Sequence, residues 1–193
     1  MKTKISLFLI ALFSSSLFGQ TDYDCVNWKE VFLLKSSADQ KNSPNIRSAE
    51  IRSLESVDQL FGSNYKSRDH MNLIDDQVYT TLTYSDGMEL ELLKSRGGAA
   101  SFAITSDNYK LVLGDGKEIM VGMSGCQLEA IFPKSYSKRS VYTDPDPRKG
   151  KASFIVYFSF VRDNKIYYVE ERIIFILSSK DGVLETFFTF RPQ

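Results

Sequence analysis

Histidine is almost missing from this chain: His70 is the only one in 193 residues. A Ser-His-Asp or Cys-His nucleophile, or a metal centre with an imidazole ligand, would have to be built on that one ring in "SRDHMNLIDD". Asp69, Asp75 or Asp76 would be its carboxylate partners. No G-x-S-x-G element and no G-x-x-x-x-G-K-[ST] loop occurs, so no catalytic residue, metal or other cofactor is expected. An excess of charge is missing too. Twenty-four basic residues balance 24 acidic ones without a long like-charge block, which speaks against a nucleic-acid partner or an anionic membrane surface. Cysteine is confined to Cys25 and Cys126, and proline to five positions. Aromatic residues are plentiful at 13%, enough for a substantial core and too many for a disordered chain.

Residues 1–20, MKTKISLFLIALFSSSLFGQ, combine a basic start (Lys2, Lys4), an apolar centre from Ile5 to Phe13 and a polar exit with Gly19. That is the layout of a secretory signal peptide, and its core is short for a membrane span. The expectation is an exported protein, periplasmic or secreted, with no integral membrane segment once the leader is removed. Residues 21–193 then carry 22 basic and 24 acidic side chains, about −2 in net charge. Lipid attachment is disfavoured because Cys25 follows Asp22-Tyr23-Asp24, charged and bulky where small residues are required. In an oxidising compartment Cys25 and Cys126 either bond to each other, closing a loop of about 100 residues, or stand as two separate thiols.

Apolar spacing divides the rest. Cys25, Trp28 and Phe32 fall at helical intervals and predict a helix over about 22–35, followed by a polar linker over 35–45. Val57, Leu60 and Phe61 predict a second helix, with Ser53 as its N-cap and Gly62 as its stop. Seventy-one residues on, Leu128, Ile131 and Phe132 repeat the pattern, behind a Ser124–Gln127 capping box and ahead of Pro133. Turn signals at Asp86-Gly87, Ser106–Asn108, Asp163-Asn164 and Ser178–Gly182 predict hairpins, and Gly114-Asp115-Gly116 reads as a turn between strands. "FIVYFSFV" (154–161) reads as a central strand covered on both faces, and Glu170-Glu171-Arg172 marks an edge, a bulge or a solvated face. The expected fold class is therefore α+β. An N-terminal helix and linker (21–45) would precede two tandem units, 46–121 and 122–193, each a helix followed by an antiparallel meander, within a single domain spanning 21–193.

The stretch "EIMVGMSGCQLEAIF" (118–132), with Val121-Gly122-Met123-Ser124 and then Leu128 and Phe132, resembles the strand-to-helix entry of the small lipoproteins associated with outer-membrane β-barrel assembly. The tandem helix-plus-strands order resembles the β-lactamase-inhibitor-protein-like fold. Both families bind proteins, so the resemblance implies a non-catalytic binding or accessory protein of the cell envelope or extracellular space with a protein partner. No contact residue of either family transfers to a position here. On the residues themselves, the candidate contact set is Tyr65 and Arg68 after the first helix, Tyr136 and Arg139 after the second, and Asp144 and Asp146 in the insertion "YTDPDPRKG" (142–150). The alternatives are a carboxylate-based hydrolase using Glu89, Glu91 or Asp75, and a structural envelope protein without a discrete ligand.

Overall fold

The computed structural model describes residues 22–37, 53–72, 75–95, 99–163 and 165–190. The expected leader (1–20), most of the expected linker (35–45) and Asn164 lie outside the described residues.

Strands dominate, so the α+β expectation of two helix-plus-meander units gives way to a mostly β architecture. Among the described residues, twelve strands form two sheets. The large one runs β1 (Cys25–Asn27), β10 (Ala152–Arg162), β11 (Lys165–Leu177), β12 (Leu184–Phe190), β6 (Ala99–Ile104), β5 (Met88–Leu93), β4 (Gln77–Tyr84), β3 (Tyr65–Asn72), with β9 (Ser140–Val141) beside β10. The small sheet is β2 (Phe32–Lys35), β7 (Tyr109–Val112) and β8 (Glu118–Met120). Three short helices accompany them among the described residues: α1 (Leu54–Phe61), α2 (Gly125–Ile131) and α3 (Pro133–Ser137).

The N-terminal helix expected over 22–35 is replaced by β1, one 3₁₀ turn at Trp28–Glu30 and β2. Asn27 accepts from the Lys29 backbone N–H and closes that turn. The flanking runs then find distant partners, β1 parallel to β10 at Tyr157–Ser159 and β2 antiparallel to β7. Local apolar spacing lost to tertiary strand pairing. A reciprocal clasp fixes the entry: Asp24 N–H donates to Ser135 Oγ (2.9 Å) while Ser135 N–H donates to Asp24 Oδ2 (2.8 Å).

The local signals fared better. Ser53 caps α1, Gly62 ends it at φ +84°, and the Ser124–Gln127 box is formed in both directions at α2. Pro133 ends α2 but also opens α3 as its first residue, a position where the missing N–H costs nothing. Three residues, Ser85 to Gly87, join β4 to β5, with Gly87 at φ +102°. The turn at Ser106–Asn108 exists, yet it makes no hairpin: β6 stays in the large sheet and β7 crosses to the small one. Nor is 154–161 a central strand; only β1 and β9 lie beyond β10, and its residues alternate between buried and half-buried over Phe154–Phe158. At Glu170–Arg172 the sequence signal for a bulge is realised, because the β10–β11 register shifts there.

Both sheets and all three helices share one core. A cross-strand row of Met88, Ile104, Phe187, Phe175 and Phe154 runs through β5, β6, β12, β11 and β10. Phe154 and Phe175 stack at 4.8 Å, and Phe132 from the end of α2 packs on both. Between β12 and β6 only two residue pairs are in register; Thr186 Oγ1 donates to Ile104 O and Thr189 Oγ1 accepts from Phe102 N–H, reinforcing the seam with side chains.

Candidate functional site

The six expected contact residues do not form one surface. Tyr65 opens β3, half-buried against Tyr84 (ring centroids 5.3 Å), and burial followed by its hydrogen bond to Asp58 raises its phenol pKa. Arg68 is exposed in the middle of β3. Tyr136 is not a loop residue: it lies in α3, is buried, and meets Phe154 edge-on at 5.5 Å. Its hydroxyl sits where a Cβ on Gly125 would fall at 2.2 Å, so Gly125 makes room for it. Arg139 folds back over the Tyr136 ring and donates to its carbonyl (3.1 Å). The two Tyr/Arg pairs thus lie toward opposite ends of the large sheet, one on edge strand β3 and the other on and just after α3, against β10.

Asp144 and Asp146 are taken up within their own loop. Asp144 pairs with Lys149 (2.6 Å), and Asp146 accepts from Arg148 Nε and Nη2. The Arg148 guanidinium, lying 3.9 Å from the Tyr142 ring centroid, draws the Asp146 carboxyl down to about 2. Cys25 and Cys126 are thiols, not a disulfide: Cys25 is on β1 and Cys126 is exposed in the first turn of α2. Burial, then the adjacent Asp24 carboxylate, push the Cys25 thiol up to about 11.

Of the carboxylates proposed for hydrolysis, Glu89 and Glu91 lie on strand β5 and Asp75 in the turn before β4. Glu91 accepts from Ser101 (2.8 Å) and pairs with His70 Nε2 (3.1 Å), and Thr81 Oγ1 lies 3.4 Å from His70 Nδ1. This polar row crosses β3, β4, β5 and β6. Glu89 is exposed, and Asp75 is engaged by the Tyr79 hydroxyl at 2.6 Å. No group of three metal-capable side chains converges among the described residues, and no helix among them is long and apolar enough to cross a membrane.

Two clefts remain. The first, about 280 Å³, lies between β1, the β7–β8 turn and the end of α2. Its charged lining is largely engaged: Asp24 holds Ser135, Asp115 pairs with Lys117, and Glu30 presses against Gly114 at a distance no Cβ would tolerate. The second, about 390 Å³, is lined by Trp28, Lys29, Phe160, Val161, Arg162 and Val169. It sits at the end of the β10–β11 ribbon, beyond the last residue paired with β1 and the last paired with β12. There Val161 faces Ile166 across the ribbon, and Phe160 stacks on Tyr167 at 5.3 Å. Val161, Ile166 and Tyr167 are 56%, 61% and 41% exposed, so apolar side chains face water on both sides of the ribbon.

No family model, curated protein or solved structure matches this chain. The site is therefore defined by its own geometry.

None of the ribbon residues belongs to the expected contact set. A signal for them exists in "FSFVRDNKIYYV" (158–169): apolar residues continue on both faces up to a charged two-residue turn, where a half-buried hairpin would alternate with polar ones.

Proposed function

We propose that this chain is an exported, non-catalytic binding module that engages another protein in the cell envelope or outside the cell. The observation that carries the reading is the apolar end of the β10–β11 ribbon. Water-exposed Val161, Ile166 and Tyr167 cluster beside a cleft walled by Trp28, Phe160 and Val169. Scattered apolar residues on a surface need no explanation, whereas a contiguous patch rimmed by charge is a mark of an interface. The patch also holds Trp and Tyr beside Arg162, a composition favoured at interface centres. The leader-like segment 1–20 supports export.

The test is recovery of partners by tagged chain 21–193 from envelope and secreted fractions of its own cells, run beside a Tyr167→Asp variant of matched melting behaviour. The expected result is a stoichiometric, salt-resistant partner bound by the wild type and lost from the variant. Repeated recovery of both proteins alone would refute the reading.

A further inference from the structure

β3 ends the large sheet and, among the described residues, pairs with β4 alone; most of its side chains are exposed. Little packing holds such a strand, and two ion pairs reach past β4 to do so. On one face Asp69 pairs with Lys94, just beyond the end of β5, and accepts from the Thr80 hydroxyl at 2.7 Å. On the other face His70 Nε2 lies 3.1 Å from Glu91 Oε1, and Ser101 of β6 donates to Glu91 at 2.8 Å. Successive strand residues point to opposite faces, so the neighbours Asp69 and His70 clip the strand from both sides. The two clips differ in chemistry. Lysine and aspartate are both charged throughout the neutral range, and Lys94 followed by Thr80 holds the Asp69 carboxyl below its usual range. An imidazole gains its charge as pH falls from 8 to 5, and His70 is the only histidine in the chain.

We infer that the His70–Glu91 pair is a pH-sensitive clip on this edge of the sheet, gripping β3 more tightly in acid and relaxing as pH rises through the imidazole range. The sign follows from the groups around the ring. A neutral ring keeps both hydrogen bonds, with Nε2–H donating to Glu91 and Nδ1 accepting from the Thr81 hydroxyl at 3.4 Å. Protonation turns the Glu91 contact into an ion pair, which is the stronger bond, and lets Nδ1–H donate to Thr81 Oγ1. It also places a cation over the Tyr79 ring, stacked at 5.9 Å. The adjacent Asp69 carboxylate adds attraction, while Arg68, two residues back on the same face, opposes it. Lys66 on β3 and Glu89 on β5 stand farther along that face, and Asp75 is engaged by the Tyr79 hydroxyl. Glu91 touches the ring whereas Arg68 is exposed to water, so attraction wins. His70 and Glu91 are 37% and 30% exposed, which screens the pair and keeps the effect modest.

Amide hydrogen exchange of chain 21–193 at pH 5.5 and 7.5 tests the clip, read as protection relative to unfolded-chain rates so that the base catalysis of exchange cancels. Protection over residues 68–72 should be about two- to fivefold greater at pH 5.5, the worth of an exposed ion pair, while β7 in the small sheet is equally protected at both. Glu91→Gln keeps a hydrogen-bond acceptor without the charge and should abolish the difference. Lys94→Gln should lower protection by the same factor at both pH values and leave the difference in place. Equal protection of wild-type β3 at the two pH values would overturn the inference. So would a difference that survives Glu91→Gln, or one shared equally by β7, which would report global stability and not the edge.

Discussion

Replacing Gly87 by alanine tests whether two turns are locked together as the structure requires. Gly87 closes the β4–β5 turn at φ +102°, a conformation costing an L-residue about 1–2 kcal/mol. A Cβ there would stand 2.5 Å from Ser106 Oγ, 2.6 Å from Ser106 Cβ and 3.1 Å from Ser106 N, so the Ser106 segment has to move. That segment is tied down by several bonds. Ser106 Oγ and Asn108 Nδ2 donate to Asp86 O, Tyr109 hydroxyl donates to Asp86 Oδ1 (2.8 Å), and Thr105 N–H donates to Gly87 O (2.8 Å). Losing one or two of them costs roughly 0.5–1.5 kcal/mol each. The expected destabilisation of Gly87→Ala is therefore about 2–4 kcal/mol, a fall in melting temperature of roughly 5–15 °C for a chain of this size. Urea unfolding followed by circular dichroism gives the number. Ser106→Gly in the Gly87→Ala background removes two of the three close atoms and should recover the steric part, leaving the φ cost. A Gly87→Ala protein within about 0.5 kcal/mol of wild type would refute the clasp, since the φ strain alone exceeds that.

Ser135→Ala removes one half of the Asp24–Ser135 clasp from a fully buried site and should cost about 1–3 kcal/mol, with faster hydrogen exchange at Val26; unchanged exchange there would show that β1 is held by its ladder alone. Phe175→Ala empties the centre of the aromatic row and should cost about 3–5 kcal/mol in the same urea assay, a smaller loss meaning that the core collapses around it. A thiol reagent at pH 8 should label Cys126 on the native protein and Cys25 only after unfolding. Because the Cys25 pKa is raised from 9.0 to about 11, its contribution to stability is complete below pH 9 and fades as pH climbs toward 11, and Cys25→Ser should flatten that decline. Asp146 should stay ionised down to a pH of about 2 in a carbon-13 carboxyl titration, and Arg148→Gln should return it toward the ordinary value of about 4; no change would mean that Arg148 does not hold it in solution.

Features governed by a few neighbouring residues are legible in the sequence. Capping at Ser53 and Ser124, the helix stop at Gly62 and the turns at Gly87, Gly116 and Gly182 follow from side-chain oxygens within three residues of an amide, or from φ values that glycine adopts freely. The register break at Glu170–Arg172 is visible as charge interrupting an apolar run. The candidate contact residues are not legible, because their composition is the same whether they face water or one another. Tyr136 and Arg139 read as interface anchors, but α3 turns the tyrosine into the core and the arginine onto its ring.

The caps and stops of α1 and α2, where most turns fall, and the wealth of aromatic residues behind a leader-like start were set by the amino-acid order alone, since each depends on local backbone chemistry or composition. Tertiary folding was needed to make residues 25–35 into strands, to part β6 and β7 into different sheets, and to leave the apolar end of β10–β11 uncovered. Each of those outcomes hangs on partners far along the chain: Tyr157 and Phe158 for β1, Val112 for β2, and the last pairing of β12 at Arg172 for the exposed ribbon. Strand pairing is a long-range bond, and a window of a dozen residues does not contain its second half.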